Sequence, residues 1–304
     1  MSNNPLDINF VSPVQEQGGV FYKRDDLFVP FGEGGLNGGK CRQTFHLIQH
    51  NWDFLREMFA GRLITTSSVY STSGAILAAY THRLGLKSIL AVGGTKPGTI
   101  DKHHMMRLAK AYGCDVRIVC GTGMSGPLKK RLTEICEAEK VFNAVFSDNV
   151  EDQQRALLDP ISAQVVNLPD DLDNLVVPVG TGIHLLAIMR GLQKHGKTVK
   201  RIIGCHVGPD RRKKIDGYLA PLEWQNPTYE MAALNLKTAY AKACVENMPG
   251  GDPLDEIYEA KTHVWMRENL DLKNEKTLLW IVGRRPSVEE TDAQIEQLAE
   301  TVTS

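Results

Sequence analysis

Residues 22–42 read YKRDDLFVPFGEGGLNGGKCR, and the lysine that closes their glycine-rich turn, Lys40, decides the fold. Two chemistries compete for it. Gly34, Gly39 and Lys40 fit the phosphate-loop pattern G-x-x-x-x-G-K, but Cys41 stands where a Ser or Thr hydroxyl would ligate magnesium. Such a loop also follows an apolar buried strand, whereas residues 23–26, KRDD, are charged. The second chemistry takes Lys40 as an imine-forming lysine. Glycines carry no Cβ and let the backbone approach a flat group closely. An amine condenses with an aldehyde and becomes a base once substrate displaces it. The ordinary alternative is a solvated lysine in a loop.

The order KRDDL, glycine-rich turn, G-G-K-x-R and helix resembles the fold-type II enzymes of pyridoxal 5'-phosphate (PLP), the tryptophan synthase beta-like superfamily. The nearest branch is the 1-aminocyclopropane-1-carboxylate deaminase and D-cysteine desulfhydrase group. There the lysine of a G-G-N-K-x-R-K run carries PLP. The matching positions are Gly38, Gly39, Lys40 and Arg42, with Asn37 ahead of the two glycines instead of directly before the lysine.

The chain has 304 residues, 42% hydrophobic and 23% charged, enough for one large or two ordinary domains with real cores. A net charge of −1 gives no global basic character that would point to nucleic acid or membrane. The opening MSNNPLDINF has no apolar core of a secretory leader, and no run reaches the roughly 18 apolar residues of a membrane helix. The six cysteines are scattered with no C-x-x-C pair, which suits a reduced, cytoplasmic protein without structural zinc.

Hydrophobic periodicity predicts helices over 43–59, 73–84, 99–112 and 128–138, alternating with strands over 62–66, 88–92, 116–120 and 141–146. The later half repeats this, with strands over 175–179, 201–207 and 277–282 and helices over 183–195, 227–245 and 254–269, then a C-terminal helix. Short apolar runs alternating with helices imply an α/β protein with open, mostly parallel sheets flanked by helices. The resemblance implies the division: 1–44 plus 151–304 as the larger PLP-binding domain, with 45–150 inserted as the smaller one.

Three further stretches carry candidate chemistry. TSSVYSTSG, residues 66–74, lies between a strand and a helix, where ligands bind in open α/β sheets. Its hydroxyls and helix-start amides suit a substrate carboxylate, and equally suit plain helix capping. Aligned on Leu84-Gly85, Ser71, Thr72, Ser73 and Gly74 fall on the family's substrate loop, with Thr72 where an Asn bonds the pyridoxal hydroxyl. PVGTGIHL, residues 178–185, runs from a strand through Gly180-Thr181-Gly182 into a helix, a phosphate cup or an ordinary tight turn. The family has G-x-G-G-[ST] there, with Ile183 in place of the third glycine and His184 after it. LDEIYEAK, residues 254–261, matches the deaminase branch's D-x-x-Y-E-G-K run, which implies Tyr258 beside the cofactor ring and Glu259 on its pyridine nitrogen. By pattern alone it is an amphipathic helix with a wet glutamate.

A carboxylate beside the ring nitrogen keeps it protonated and makes the ring a strong electron sink. Glu259 therefore points to chemistry at Cα that needs deep carbanion stabilisation. LLWIVGRRP departs from the family's last strand by Arg284 and Arg285, whose forks suit carboxylate or phosphate. The basic run 211–214 is a solvated loop or the seat of a phosphate-bearing substrate larger than a free amino acid. The resemblance implies deamination or elimination on a small amino-acid substrate, through an external aldimine and quinonoid, by a homodimer. Kept open are decarboxylation of a bulkier, nucleotide-linked or nucleic-acid-linked amino acid, and a PLP-binding protein without turnover.

Overall fold

The computed structural model describes residues 9–123, 125–149, 152–219, 229–234 and 240–303. The chain starts with strands β1 (Val14–Gln17) and β2 (Val20–Arg24), a 3-10 turn at Asp25–Leu27, and helices α1 (Gly39–His50) and α2 (Trp52–Phe59). Then come β3 (Arg62–Thr66), α3 (Ser73–Arg83), β4 (Lys87–Gly93), α4 (His104–Ala111), β5 (Asp115–Cys120), α5 (Ser125–Glu139) and β6 (Phe142–Asn143). Short helices α6 (Phe146–Asn149), α7 (Gln154–Leu157) and α8 (Asp159–Ser162) lead to β7 (Leu172–Val179), α9 (Ile183–Lys194), β8 (Val199–His206), α10 (Arg212–Leu219) and β9 (Tyr229–Ala233). Last are α11 (Glu259–Asn269), β10 (Thr277–Ile281) and α12 (Val288–Thr303).

Two compact units result. The first comprises Met1–Phe28, Asn37–Arg42 and Leu157–Arg284; the second comprises Val29–Leu36, Gln43–Ala156 and Arg285–Ser304. In the first unit one sheet runs β1-β2-β10-β7-β8-β9, and every pair except β1–β2 is parallel. The carboxyl ends of β2, β10, β7 and β8 therefore share one edge, where open α/β sheets bind ligands. Central strands of parallel sheets are covered on both faces and read as continuous apolar runs. β10, TLLWI, is buried along its whole length, Trp280 completely. Each large side chain so buried contributes about 1.5–3 kcal/mol. In the second unit four parallel strands order as β5-β4-β3-β6 over a core of Ile64, Ile89, Ala91, Leu132 and Val141. Among the described residues no helix is long and apolar enough to cross a membrane.

The charged run at 23–25 is a buried network. β2 pairs in parallel with β10 and buries Lys23, Arg24 and the following Asp25. Lys23 Nζ donates to Ser12 O and Asn167 Oδ1, both at 2.6 Å, and burial pulls its pKa down to about 8. Arg42 is completely buried, with Nε 3.5 Å from Asp25 Oδ1 and Nη2 donating to Ser12 Oγ at 2.9 Å. Its guanidinium lies 3.9 Å from the Phe28 ring centre.

Five element expectations are corrected, one being the helix expected over 99–112, which is a 3-10 turn at Pro97–Lys102 followed by α4 from His104. The helix expected over 43–59 begins at Gly39 and divides at Asn51. Of the helix expected over 227–245, residues 229–233 form strand β9, parallel to β8; sheet pairing overrides the helix-forming Glu-Met-Ala-Ala. Residues 227, 228 and 235–239 of that expectation lie outside the described residues. The strand expected over 141–146 is only Phe142–Asn143, and the helix expected from 254 starts at Glu259.

Candidate active site

The Lys40 turn is tied to the end of β10. Gly39 N–H donates to Val282 O at 2.8 Å, and Arg284 N–H donates to Asn37 Oδ1 at 2.8 Å. This gives Asn37 its role ahead of the two glycines. Gly38 has φ +85°, and a Cβ on it would lie 2.3 Å from Val282 O, so a side chain is excluded by conformation and space alike. Lys40 thereby enters the first turn of α1 beside the carboxyl end of β10.

Glu259 reaches the same end of β10 from α11. The Asp255 carboxylate accepts the Ile257 and Tyr258 N–H groups at 2.9 and 3.1 Å, which turns the chain and delays the helix to Glu259. Glu259 is 2% exposed, and its Oε1 accepts the Val282 N–H at 3.1 Å. Burial, then Asp255, holds its carboxyl well above the ordinary range; Lys40 and the Val282 N–H pull the other way. Tyr258 Oη lies 3.0 Å from Tyr240 Oη, and its ring centre is 5.7 Å from Lys40 Nζ. Burial and Tyr240 raise its pKa, so the phenol keeps its proton. A Cβ on Gly180 would lie 3.3 Å from the Tyr258 ring.

The turn after β7 supplies backbone donors. Gly182 has φ +89° and precedes α9, whose first amides have no partner within the helix and stand at its positive end. Thr181 is exposed and Ile183 buried. His184 Nε2 is buried and has no hydrogen-bond partner among the described residues. Burial lowers its pKa to about 4, which keeps the imidazole neutral. A Cβ on Gly39 would meet that nitrogen at 2.3 Å.

Lys40, Tyr258, Glu259 and the 180–184 turn thus converge within the first unit, at the ends of β10 and β7. Ser71–Gly74 belong to the second unit. There Ser71 Oγ and Ser73 Oγ are 3.0 Å apart, Ser73 starts α3, and Thr72 precedes it without a side-chain cap. Gly74 lets α3 pack on its sheet, since its Cβ would come within 2.4 Å of Leu90 Cδ2. Arg284 is held through its backbone, as above. Sequence reasoning missed Tyr240, Asp255 and Val282. Tyr240 fell in the misread helix and Val282 acts through its main chain, which leaves no residue-type signal; Asp255 opens the D-x-x-Y-E match and carries a helix-start signal, but was given no role.

The donor set fits PLP. It has an amine, a buried acid whose pKa is raised by burial and by Asp255, a tyrosine ring over a glycine, and a glycine turn that opens a helix. Among the described residues no group of three or more His, Cys, Asp or Glu could hold a metal ion. A family model, "Pyridoxal-phosphate dependent enzyme", matches residues 3–271. The chain belongs to that family. This PLP-dependent enzyme is 23% identical to an O-seryl-dTMP PLP-dependent decarboxylase of Salmonella phage ViI, over 92% of its own length and 81% of the relative's. Among solved structures it matches an ACC deaminase homologue with TM-score 0.72 at 19% identity, covering 98% of this chain and 100% of that one. An O-acetylserine dependent cystathionine beta-synthase from Helicobacter pylori matches with TM-score 0.63 at 17% identity, covering 95% and 97%. These likenesses give the PLP-dependent enzyme its fold type II architecture.

Proposed function

We propose that this PLP-dependent enzyme removes the α-carboxylate of an amino acid carried on a nucleotide. Glu259 is the observation that carries the choice of chemistry at Cα, because a buried carboxyl at the end of β10 suits a protonated ring nitrogen. The nucleotide-linked substrate and the carbon dioxide are suggested by the phage relative named for decarboxylating O-seryl-dTMP.

Bound PLP supplies an electron sink for the pair left at Cα when a bond there breaks. Everything else falls to the chain. Lys40 is the amine that holds the cofactor, and once displaced its Nζ carries a proton to Cα. Glu259 pairs with the ring nitrogen and keeps a proton there. The amides of 180–184 with Thr181 hold the phosphate, and neutral His184 adds its one ring N–H as a donor. The Ser71, Thr72 and Ser73 hydroxyls are assigned to the substrate carboxylate, and Arg284 to a further anionic group. Tyr258, steadied by Tyr240, is a second proton carrier at Oη. For an O-linked serine the Cβ oxygen is a leaving group. Prompt proton delivery to Cα by Lys40 is then what keeps that bond intact.

The second reading is deamination or elimination on a small amino acid, favoured by the Tyr258–Glu259 pair standing beside Lys40. One experiment separates the two. One portion of the PLP-loaded protein is trapped with borohydride to place the pyridoxyl mass on Lys40, and a separate, unreduced portion is offered a nucleotide bearing O-linked serine. Carbon dioxide and an aminoethyl product are expected. Ammonia with a keto acid would replace decarboxylation by deamination. A colourless protein with no trapped adduct would overturn both.

A further inference from the structure

We propose that the basic segment Arg211-Arg212-Lys213-Lys214 is a second anion site, which holds a phosphate of the nucleotide carrying the amino acid; this rests on the nucleotide-linked reading above. The sheet places it. β7 and β8 are parallel neighbours in register to their ends, Val179 opposite His206. The turn after β7 is the glycine turn assigned to the cofactor phosphate, and the turn after β8 delivers the basic run. His206 Nδ1 meets Gly208 O at 2.9 Å and braces this second turn. The two turns touch: a Cβ on Gly182 would lie 2.9 Å from Ile215 Cγ1 and 3.7 Å from Arg211 Cβ. The segment is thus beside the phosphate cup and separate from it.

Its charges are placed against their own stability. Arg212, Lys213 and Lys214 fill the first turn of α10, with no acidic residue there. Cations at a helix N-terminus oppose the helix dipole, and an anion bound there reverses that cost. The acids nearby are engaged: Asp210 Oδ1 accepts the Arg212 N–H at 2.7 Å, and Asp216 accepts the Tyr229 hydroxyl. Lys214 Nζ lies 5.8 Å from the Tyr218 ring centre. Arg211 Nε is buried and lacks a hydrogen-bond partner among the described residues, while Arg212 and Lys213 are exposed. In a chain of net charge −1 this is a local concentration of positive charge. It suits one or two phosphates, whose several oxygens match the arginine forks.

The test uses holoenzyme with PLP fixed on Lys40 by borohydride, so that the phosphate cup is filled and only another anion site reports. Binding of dTMP, thymidine and a short thymidine oligonucleotide is measured by calorimetry across salt concentrations. The expected result is dTMP binding about tenfold or more tighter than thymidine, the scale of one charge-assisted contact. Its affinity falls as salt rises, because screening weakens the charge-assisted contact, while thymidine binding is insensitive to salt. The exposed pair Arg212→Ala/Lys213→Ala and the single Arg211→Gln lose the preference, and Arg212→Lys/Lys213→Arg keeps it. A tighter oligonucleotide whose log affinity falls against log salt with a slope above about 2 identifies the phosphate as one within a strand; equal or weaker binding identifies a free nucleotide. Equal affinity for dTMP and thymidine, or a preference that survives in Arg212→Ala/Lys213→Ala, overturns the site. Carbon dioxide release without phosphate preference removes this site and leaves the reaction. Phosphate preference without carbon dioxide release does the reverse.

Discussion

Glu259 and Gly39 are bound to the two faces of one peptide residue: Val282 gives its N–H to the Glu259 carboxylate at 3.1 Å and its carbonyl to the Gly39 N–H at 2.8 Å. A single main-chain residue therefore sets the spacing between the lysine turn and the acid. Substituting Glu259→Gln keeps the shape and removes the charge. The expected outcome is a kcat lower by on the order of a hundredfold, the scale of losing one preorganised electrostatic partner. PLP incorporation on Lys40 is expected to continue. Steady-state kinetics together with borohydride trapping check this; unchanged kcat would remove Glu259 from the chemistry.

The same carboxyl predicts a pH dependence of the protein stripped of PLP. Its folded pKa is raised above the ordinary value of 4.5, so the folded state holds a proton that the unfolded state gives up first. The stability that Glu259 contributes is full below about 4.5 and is lost as pH rises toward the folded pKa, at up to about 1.4 kcal/mol per pH unit. Urea unfolding of the stripped protein at a series of pH values, wild type against Glu259→Gln, isolates this slope. Adding PLP reduces it by supplying a cation to the ionised form.

Gly39→Ala puts a methyl 2.3 Å from His184 Nε2 and 2.9 Å from Ile161 Cδ1. A loss of about 1–3 kcal/mol is expected from overpacking. Combining it with His184→Ala removes the first clash, so the double variant is expected to be more stable than the sum of the singles. Thermal melts of the four proteins give the coupling, and strict additivity would place the imidazole elsewhere.

Arg42→Met leaves Asp25 buried without its guanidinium, and a loss of about 3–5 kcal/mol is expected. Arg42→Met with Asp25→Leu is expected to recover much of it, because the uncompensated charge is gone. Denaturant unfolding of both variants decides this. Equal losses would mean that stacking on Phe28, 3.9 Å away, holds the arginine.

The lysine turn and the glycine turn at 180–182 stood out as short runs of distinctive residue types ahead of a helix, whereas the Tyr258–Glu259 pair was readable only through the family resemblance, its pattern alone being that of an amphipathic helix. Alternation of apolar runs made the parallel sheets legible in the same way. Lys23, Arg24 and Asp25 were not, since their partners, among them Ser12, Asn167 and Arg42, lie elsewhere in the chain and charge reads locally as exposure. Tyr229–Ala233 misled for the opposite reason: its residues favour a helix, and the free edge of β8 made it a strand. The start of α11 at Glu259 depends on Asp255 capping two amides, a bond that spacing alone does not reveal.

The approach of His184 to Gly39 constrains how this lineage can change. A descendant that first trades the imidazole for a smaller group frees position 39 to vary. One that first gains a side chain at 39 passes through a damaged ancestor. The glycine beside the lysine is thus maintained by a residue far along the chain, and the two substitutions have a preferred historical order.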